Sequence, residues 1–173
     1  MEYKIRKAKI SDAYGIANVH VKSWKETYKG LVEDDYLKGL SIEERSKKWK
    51  EWLNPSKTSW SFVAINLDKK VVAFISGGFS RNKKIKFGGE LYAIYILKKH
   101  QKKNIGYMLT KNLCSELKRN GIKNMYTCVL KDNPYKSFYI KHGGELFKTV
   151  VVKIGKRSFR EEYYGFESLN SFL

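Results

Sequence analysis

The sequence predicts a mixed α/β fold in one domain, and three observations carry that prediction. Segments with apolar residues every three or four positions alternate along the chain with β-rich apolar runs. Only two prolines occur, Pro55 and Pro134, and no Gly/Ser-rich linker or internal repeat marks a boundary. With 173 residues and 42% hydrophobic side chains, the chain can bury about 70% of the surface it exposes when unfolded, enough for one core.

Tyr3 to Ala8 alternates weakly and reads as the first strand. Ser11 is placed to cap a helix whose apolar stripe is Ala13, Ile16, Ala17, His20, Val21, Trp24 and Tyr28. Ser41 and Glu44 form an S-x-x-E capping box that opens a helix through about Leu53, and Asn54-Pro55 ends it. Trp60 to Leu67 and Val71 to Phe79, joined by the polar turn Leu67-Asp68-Lys69-Lys70, read as a hairpin. Gly88-Gly89 precedes Glu90 to Leu97, a strand apolar enough to be covered on both faces. From Ile105 to about Asn120 a helix carries Ile105, Met108, Leu109, Leu113 and Leu117 on one face, with Gly121 at its C-terminal cap. Met125 to Leu130 reads as a strand, Pro134 to His142 as a short helix, Gly143-Gly144 as a turn and the remainder as a strand pair. The order β-α-α-β-β-β-α-β-α-β-β gives an antiparallel first half and a strand-helix-strand unit in the second.

Composition narrows the function classes. An aromatic content of 14% is far too high for a solvated disordered chain. The longest uncharged apolar runs, Val71 to Ile75 and Leu91 to Leu97, fall well short of the roughly 20 residues of a membrane span. The first residues, Met1 to Lys7, lack the apolar core of a secretion signal, so the expected location is cytoplasmic, with no membrane partner. Cys114 and Cys128 have no CxxC spacing and form no zinc set with His20, His100 and His142, so no metal is expected. Cys114 reads as lying on the polar side of its helix and Cys128 in a strand, neither with a partnered base, which argues against a cysteine nucleophile. The excess of 35 Lys+Arg over 17 Asp+Glu, a net charge of +18, points to anionic partners. One reading of that charge, with lysine runs such as Lys83-Lys84-Ile85-Lys86, is a basic nucleic-acid-binding module. No RRM, KH or zinc-finger signature accompanies it, so nucleic acid is not the expected partner.

The stretch from Glu90 to Leu109 carries the chemistry. A strand runs into a glycine-bearing turn that opens directly onto a helix, leaving the first backbone N–H groups without intrahelical partners. Such an end binds anions, and the helix dipole adds to the attraction. Neither G-x-x-x-x-G-K-[ST] nor an early G-x-G-x-x-G is present, which removes support for nucleotide hydrolysis and dinucleotide redox chemistry.

At these residues the chain resembles the GCN5-related N-acetyltransferase (GNAT) superfamily, whose signature is [QR]-x-x-G-x-[GA]. Gln101-Lys102-Lys103-Asn104-Ile105-Gly106 matches at Gln101 and Gly106 and departs at Asn104. Asn is, after Gly, the residue that best tolerates a left-handed backbone, so the turn can still form. The resemblance extends through Ile5-Arg6-Lys7-Ala8, the His20 to Tyr28 helix, and Asn133-Pro-Tyr-Lys-Ser-Phe138-Tyr139-Ile-Lys-His-Gly143, which is similar to the family's N-x-x-x-x-F-Y-x-x-x-G stretch. It implies a GNAT fold: a mostly antiparallel twisted sheet of about seven strands, helices on both faces, and strands splayed at an acetyl-CoA site.

It further implies that acetyl-CoA is the cosubstrate, cradled by Gln101, Lys102, Lys103, Asn104, Ile105 and Gly106 at its pyrophosphate. Backbone contacts to the pantetheine arm fall on Ile94, Tyr95 and Ile96, Asn133 meets the same arm, and Tyr139 stands near the sulfur. The reaction is acetyl transfer to a primary amine, of a small molecule or of a peptide or protein, in a ternary complex. The ammonium must lose a proton, the oxyanion needs a donor and the thiolate an acid. Glu90, eleven residues before Gln101 where some members carry a catalytic glutamate, is the candidate base, directly or through water. A glutamate following two glycines at a sheet end reads equally well as solvated. The N–H of Ile94 or Tyr95 is the candidate oxyanion donor, and Tyr139 the candidate acid, protonated at neutral pH by its ordinary pKa of about 10.

Trp24 and Tyr28, four apart on one helix face, are candidate linings of the acceptor site. The rest of that site is expected from Tyr28 to Leu40, the Ser80 to Gly89 turn and the final strand pair. His20 reads as a packed, hydrogen-bonded histidine. Family members often pair as homodimers, for which the aromatic segment Phe159 to Phe172 is the candidate surface. Lys98, Lys99, Lys102 and Lys103 are expected around the loop, drawing in an anionic cofactor.

Overall fold

The computed structural model describes residues 2–54 and 58–173. Its elements are β1 (Lys4–Lys7), α1 (Ala13–Thr27), α2 (Asp34–Lys38), α3 (Ile42–Trp52), β2 (Ser59–Ile65), β3 (Val71–Phe79), β4 (Gly89–Ile96), α4 (Ile105–Arg119), β5 (Met125–Leu130), α5 (Ser137–Lys141), β6 (Glu145–Ile154) and β7 (Arg157–Phe166). The strands form one sheet in the order β1-β2-β3-β4-β5-β7-β6. Every neighbouring pair is antiparallel except β4 and β5, which are parallel and joined across α4. This is the mixed, mostly antiparallel sheet with helices on both faces that the sequence predicted.

Strand alternation divides the core. Phe74 and Val63 point to the face covered by Ile16, Ala17 and Val19 of α1 and Trp49 of α3. Ala73, Ile75, Phe62 and Ala64 point to the other, where Leu109, Leu113 and Leu117 of α4 pack together with Phe166, Leu169 and Phe172. A third cluster, Tyr28, Val32, Leu37 and Leu130 with Val152, Ile154 and Phe159, ties α2 to the β6–β7 hairpin.

Two backbone features position the site. In the β3–β4 ladder Ser76 faces Ala93 but Gly77 faces Leu91, so Tyr92 is an extra, bulged residue in β4. Opposite it, a Cβ on Gly77 would come within 2.6 Å of Leu113 Cδ2 and 2.7 Å of the Glu90 carbonyl, so only glycine lets α4 seat this closely. The β4–β5 ladder consists of Gly89↔Met125, Glu90↔Tyr126 and Leu91↔Thr127, and beyond these three rungs the strands part. A bulge raises local twist, which turns the end of β4 away from β5.

Some expectations need correction. A short helix, α2, lies within the segment expected as loop, starting on the acidic pair Asp34 and Asp35 that favours a helix N-terminus. Ser11 sits in a 3₁₀ turn, Ile10–Asp12, and Asp12 is the N-cap of α1; its carboxylate is held by the Arg6 guanidinium at 2.6 and 2.8 Å and by the Lys9 N–H. The helix expected from Pro134 starts at Ser137. Cys114 is fully buried in the α4 core, not on a polar face, because the helix is flanked by β2 and β3 on that side. Ser41 does cap α3, accepting from the Glu44 N–H at 3.2 Å, whereas Pro55 lies outside the described residues. Gly121 follows α4 at φ +78°, as its capping position requires.

Candidate active site

The parting of β4 and β5 opens the sheet, and two cavities meet in the opening. One, of about 540 Å³, lies towards α4 and α5 and is lined by Ile96, Gln101, Lys102, Asn104, Ile105 and Gly106 among others. The second, of about 860 Å³, lies towards α1 and the β6–β7 hairpin and is lined by His20, Trp24, Tyr28, Arg81, Glu90 and Glu161 among others. Ile94, Tyr95, Asn133 and Tyr139 line both.

The first cavity is built from backbone. Lys102 and Asn104 adopt left-handed conformations, φ 59° and 61°, so the chain turns sharply into α4. Asn104 caps that helix without a side-chain bond, and among the described residues the N–H groups of Ile105, Gly106 and Tyr107 have no protein acceptor. Gln101 donates its side-chain amide to the Ile96 carbonyl at 3.2 Å, tying the turn to the end of β4. Of the four lysines expected around the loop, Lys102 alone lines this cavity, and Lys141 from α5 joins it. Lys103 turns away to Glu2 at 2.7 Å, while Lys98 and Lys99 line a separate cavity of about 690 Å³ beside α1. Free amides and two lysines suit a phosphate, and the parted edge of β4 offers peptide groups to an amide-bearing arm. These residues therefore fit coenzyme A.

The second cavity is lined by side chains. Trp24 Nε1 donates to the Tyr95 hydroxyl at 2.8 Å, and His20 stacks on Tyr95 at 4.9 Å between ring centres. Trp49 Nε1 donates to His20 Nδ1 at 3.3 Å. Burial, reinforced by the Arg45 charge, pushes His20 down to about 3, so it is a neutral packing group at physiological pH. Asn133 donates to the Tyr28 hydroxyl at 2.9 Å and accepts from the Tyr135 N–H at 2.8 Å, so its side chain orients Tyr28 and the turn into α5. Burial, together with the neighbouring Tyr28, holds the Tyr139 phenol well above its ordinary pKa against a bond to Thr127. Tyr139 is thus a protonated donor standing where the cavities join.

The two carboxylates differ. Glu90 is almost fully buried and receives the Arg81 backbone N–H at 3.0 Å and its guanidinium at 3.1 and 2.5 Å. Burial alone would raise its pKa, but the Arg81 bonds and charge outweigh it and hold it below the usual carboxylate range. Glu161 of β7 is half-buried, and burial with the nearby Glu90 charge raises it despite a bond to Tyr163. Arg81 and Glu161 were not singled out in the sequence. The Glu161-x-Tyr163 alternation, which puts both on one strand face, was the available signal.

With this geometry in view, comparison with known proteins is decisive. Residues 23–143 match the acetyltransferase (GNAT) family. The chain is a GNAT acetyltransferase. This acetyltransferase is 35% identical over 141 residues to the uncharacterized N-acetyltransferase YuaI of Bacillus subtilis (strain 168), covering 82% of this chain and 79% of the relative. It is 30% identical over 149 residues to a spermidine N(1)-acetyltransferase of Thermoplasma acidophilum, covering 83% and 88%. The crystal structure of the PaiA N-acetyltransferase of Thermoplasma acidophilum in complex with coenzyme A superposes with a TM-score of 0.75 at 26% identity, covering 94% of this chain and 98% of that one. Among the described residues of this acetyltransferase, no helix is long and apolar enough to cross a membrane.

Proposed function

We propose that this acetyltransferase moves the acetyl group of acetyl-CoA directly onto a primary amine in a ternary complex. The observation that supports this most is the meeting of the two cavities at Ile94, Tyr95, Asn133 and Tyr139. A thioester held on the α4 side and an amine held on the α1 side approach one another there, with no enzyme nucleophile needed.

Acetyl-CoA supplies the activated acyl group. In this reading the α4 N-terminus and Lys102 hold its phosphates, and the free edge of β4 from Ile94 to Ile96 holds its arm. Strand N–H groups alternate in direction, so one of Ile94 and Tyr95 aims its N–H into the gap and donates to the acetyl oxygen as charge develops there. Tyr139 protonates the departing sulfur. Glu90 borders the acceptor cavity as an ionised carboxylate that Arg81 weakens as a proton acceptor.

The likeness to a spermidine acetyltransferase supports a polyamine as one candidate acceptor. Arg81, Lys83 and Lys84 on the same cavity weigh against a long polycation. The test is release of CoA thiol from acetyl-CoA with a panel containing spermidine, tyramine, L-lysine and a short peptide, together with the melting temperature in millimolar acetyl-CoA. Binding at 100 times the Kd stabilises by about 2.7 kcal/mol. Absence of both a thermal shift and thiol release would sink the proposal.

A further inference from the structure

We propose that Glu161 is the carboxylate that receives the acceptor ammonium and takes its proton. This rests on the amine N-acetyltransferase reading above and names a residue for a step that reading leaves open.

Position separates the two carboxylates of the acceptor cavity. Glu90 pairs with Tyr126 at the closed end of the β4–β5 ladder, one rung before the strands part. Glu161 pairs with Leu130 at the far end of β5, from which the chain turns into Asn133 and α5. Tyr126 and Leu130 are four residues apart, about 13 Å along a strand, and the cavity junction lies beyond the parting point. Tyr28, Asn133 and Tyr139 line the same cavity as Glu161, and Asn133 lies three residues beyond its strand partner Leu130, so Glu161 stands on the junction side of the cavity.

Charge separates them as well. Arg81 neutralises Glu90. Among the described residues no Lys or Arg forms an ion pair with Glu161: Tyr163 on its own strand bonds to it and the Glu90 charge acts on it from β4, while Arg81, which is paired with Glu90, and Lys83 and Lys84 line the same cavity. A half-buried carboxylate with no paired cation is costly to keep ionised. A substrate ammonium supplies the missing positive charge, and the same surroundings make Glu161 a stronger base than an ordinary carboxylate.

The step balances. The ammonium R–NH₃⁺ gives one proton to Glu161, and the freed amine pair forms the N–C bond to the acetyl carbon. The C–S bond then breaks, the sulfur takes the Tyr139 proton, and the second proton of the nitrogen restores Tyr139. The products are the acetamide, CoA thiol and one proton, which Glu161 releases to water.

The experiment compares wild type, Glu161→Gln and Glu161→Asp on the best amine of the panel. Glu161→Gln should lower kcat/KM at least 100-fold and abolish the acid limb of its pH profile, with an unchanged thermal shift in acetyl-CoA. Glu161→Asp should recover part of the rate. Because Glu161 forms no ion pair among the described residues, Glu161→Gln should also melt no lower than wild type at pH 8. A rate within threefold of wild type, an unaltered acid limb or a clearly lower melting temperature overturns the assignment. No amine turned over by wild type overturns the amine reading itself, and this inference with it.

Discussion

Arg81→Ala should destabilise the enzyme in a way that depends on pH. The substitution removes the guanidinium bonds to Glu90 at 3.1 and 2.5 Å but keeps the backbone N–H bond at 3.0 Å. Stripping one partner from a buried ion pair costs about 3–5 kcal/mol, whereas an exposed pair contributes about 1 kcal/mol or less. Here the Glu90 side chain is 6% exposed and that of Arg81 65%, so water reaches one end of the pair. A value of about 2 kcal/mol follows between those limits, or a melting temperature lower by about 4–8 °C at pH 7 for a chain of this length. Glu90 has a folded-state pKa below its unfolded value, so its contribution is present above the usual carboxylate range and is lost as pH falls through the folded value. In the variant, burial governs and Glu90 takes up a proton at higher pH. The deficit should therefore be widest near neutrality and shrink towards about pH 4, leaving the loss of the Arg81–Tyr92 stacking, about 0.5–1 kcal/mol. Thermal melts across that range measure it, with Arg81→Ala in a Glu90→Gln background as the second leg. A deficit that is constant with pH, or the same in the Glu90→Gln background, refutes the reasoning.

Other outcomes are equally definite. Tyr139→Phe should lower kcat by about 10²-fold or more with little change in acetyl-CoA KM, as steady-state kinetics would record; unchanged kcat removes the phenol from proton transfer. Asn104→Gly should keep stability and acetyl-CoA KM, because glycine accepts φ 61° freely, whereas Asn104→Ala should lose about 1 kcal/mol and raise that KM. His20 has a folded pKa of about 3 against an ordinary 6.5, so the unfolded chain is protonated first and the stability due to neutral His20 drains as pH falls below 6.5. His20→Gln should flatten the decline of melting temperature between pH 6.5 and about 4, and parallel declines in the two proteins would contradict it.

Much of this was legible from local pattern. The Leu109, Leu113 and Leu117 stripe, the β3 run and the Ser41 cap are local codes that tertiary contacts reinforce. The turn from Gln101 to Gly106 was readable at Asn104, a residue tolerant of positive φ, whereas Lys102, equally left-handed at φ 59°, carries no such signal in its residue type. What escaped depends on pairings distant in sequence. Arg81 meets Glu90 only because a loop folds back over the start of β4, and Lys103 is drawn to Glu2 across the whole first half of the chain. Glu161 and Glu162 are neighbours of one type in the sequence, yet opposite strand faces send one to the larger cavity and the other to Lys136 and Tyr164. Cys114 was misplaced because a helix buried against a sheet has a wider apolar arc than its leucines reveal.

The three-rung ladder between β4 and β5 has one more consequence. Past Leu91 each strand keeps one row of main-chain groups unpaired, so the sheet carries an edge in its middle as well as at its rims. Edges recruit any extended chain that reaches them. A bound arm that borrows those main-chain groups closes the seam. Storage should therefore be safer with ligand than without, and slow oligomer growth on the shelf, followed by light scattering, should be suppressed by coenzyme A well before any catalytic assay registers a difference.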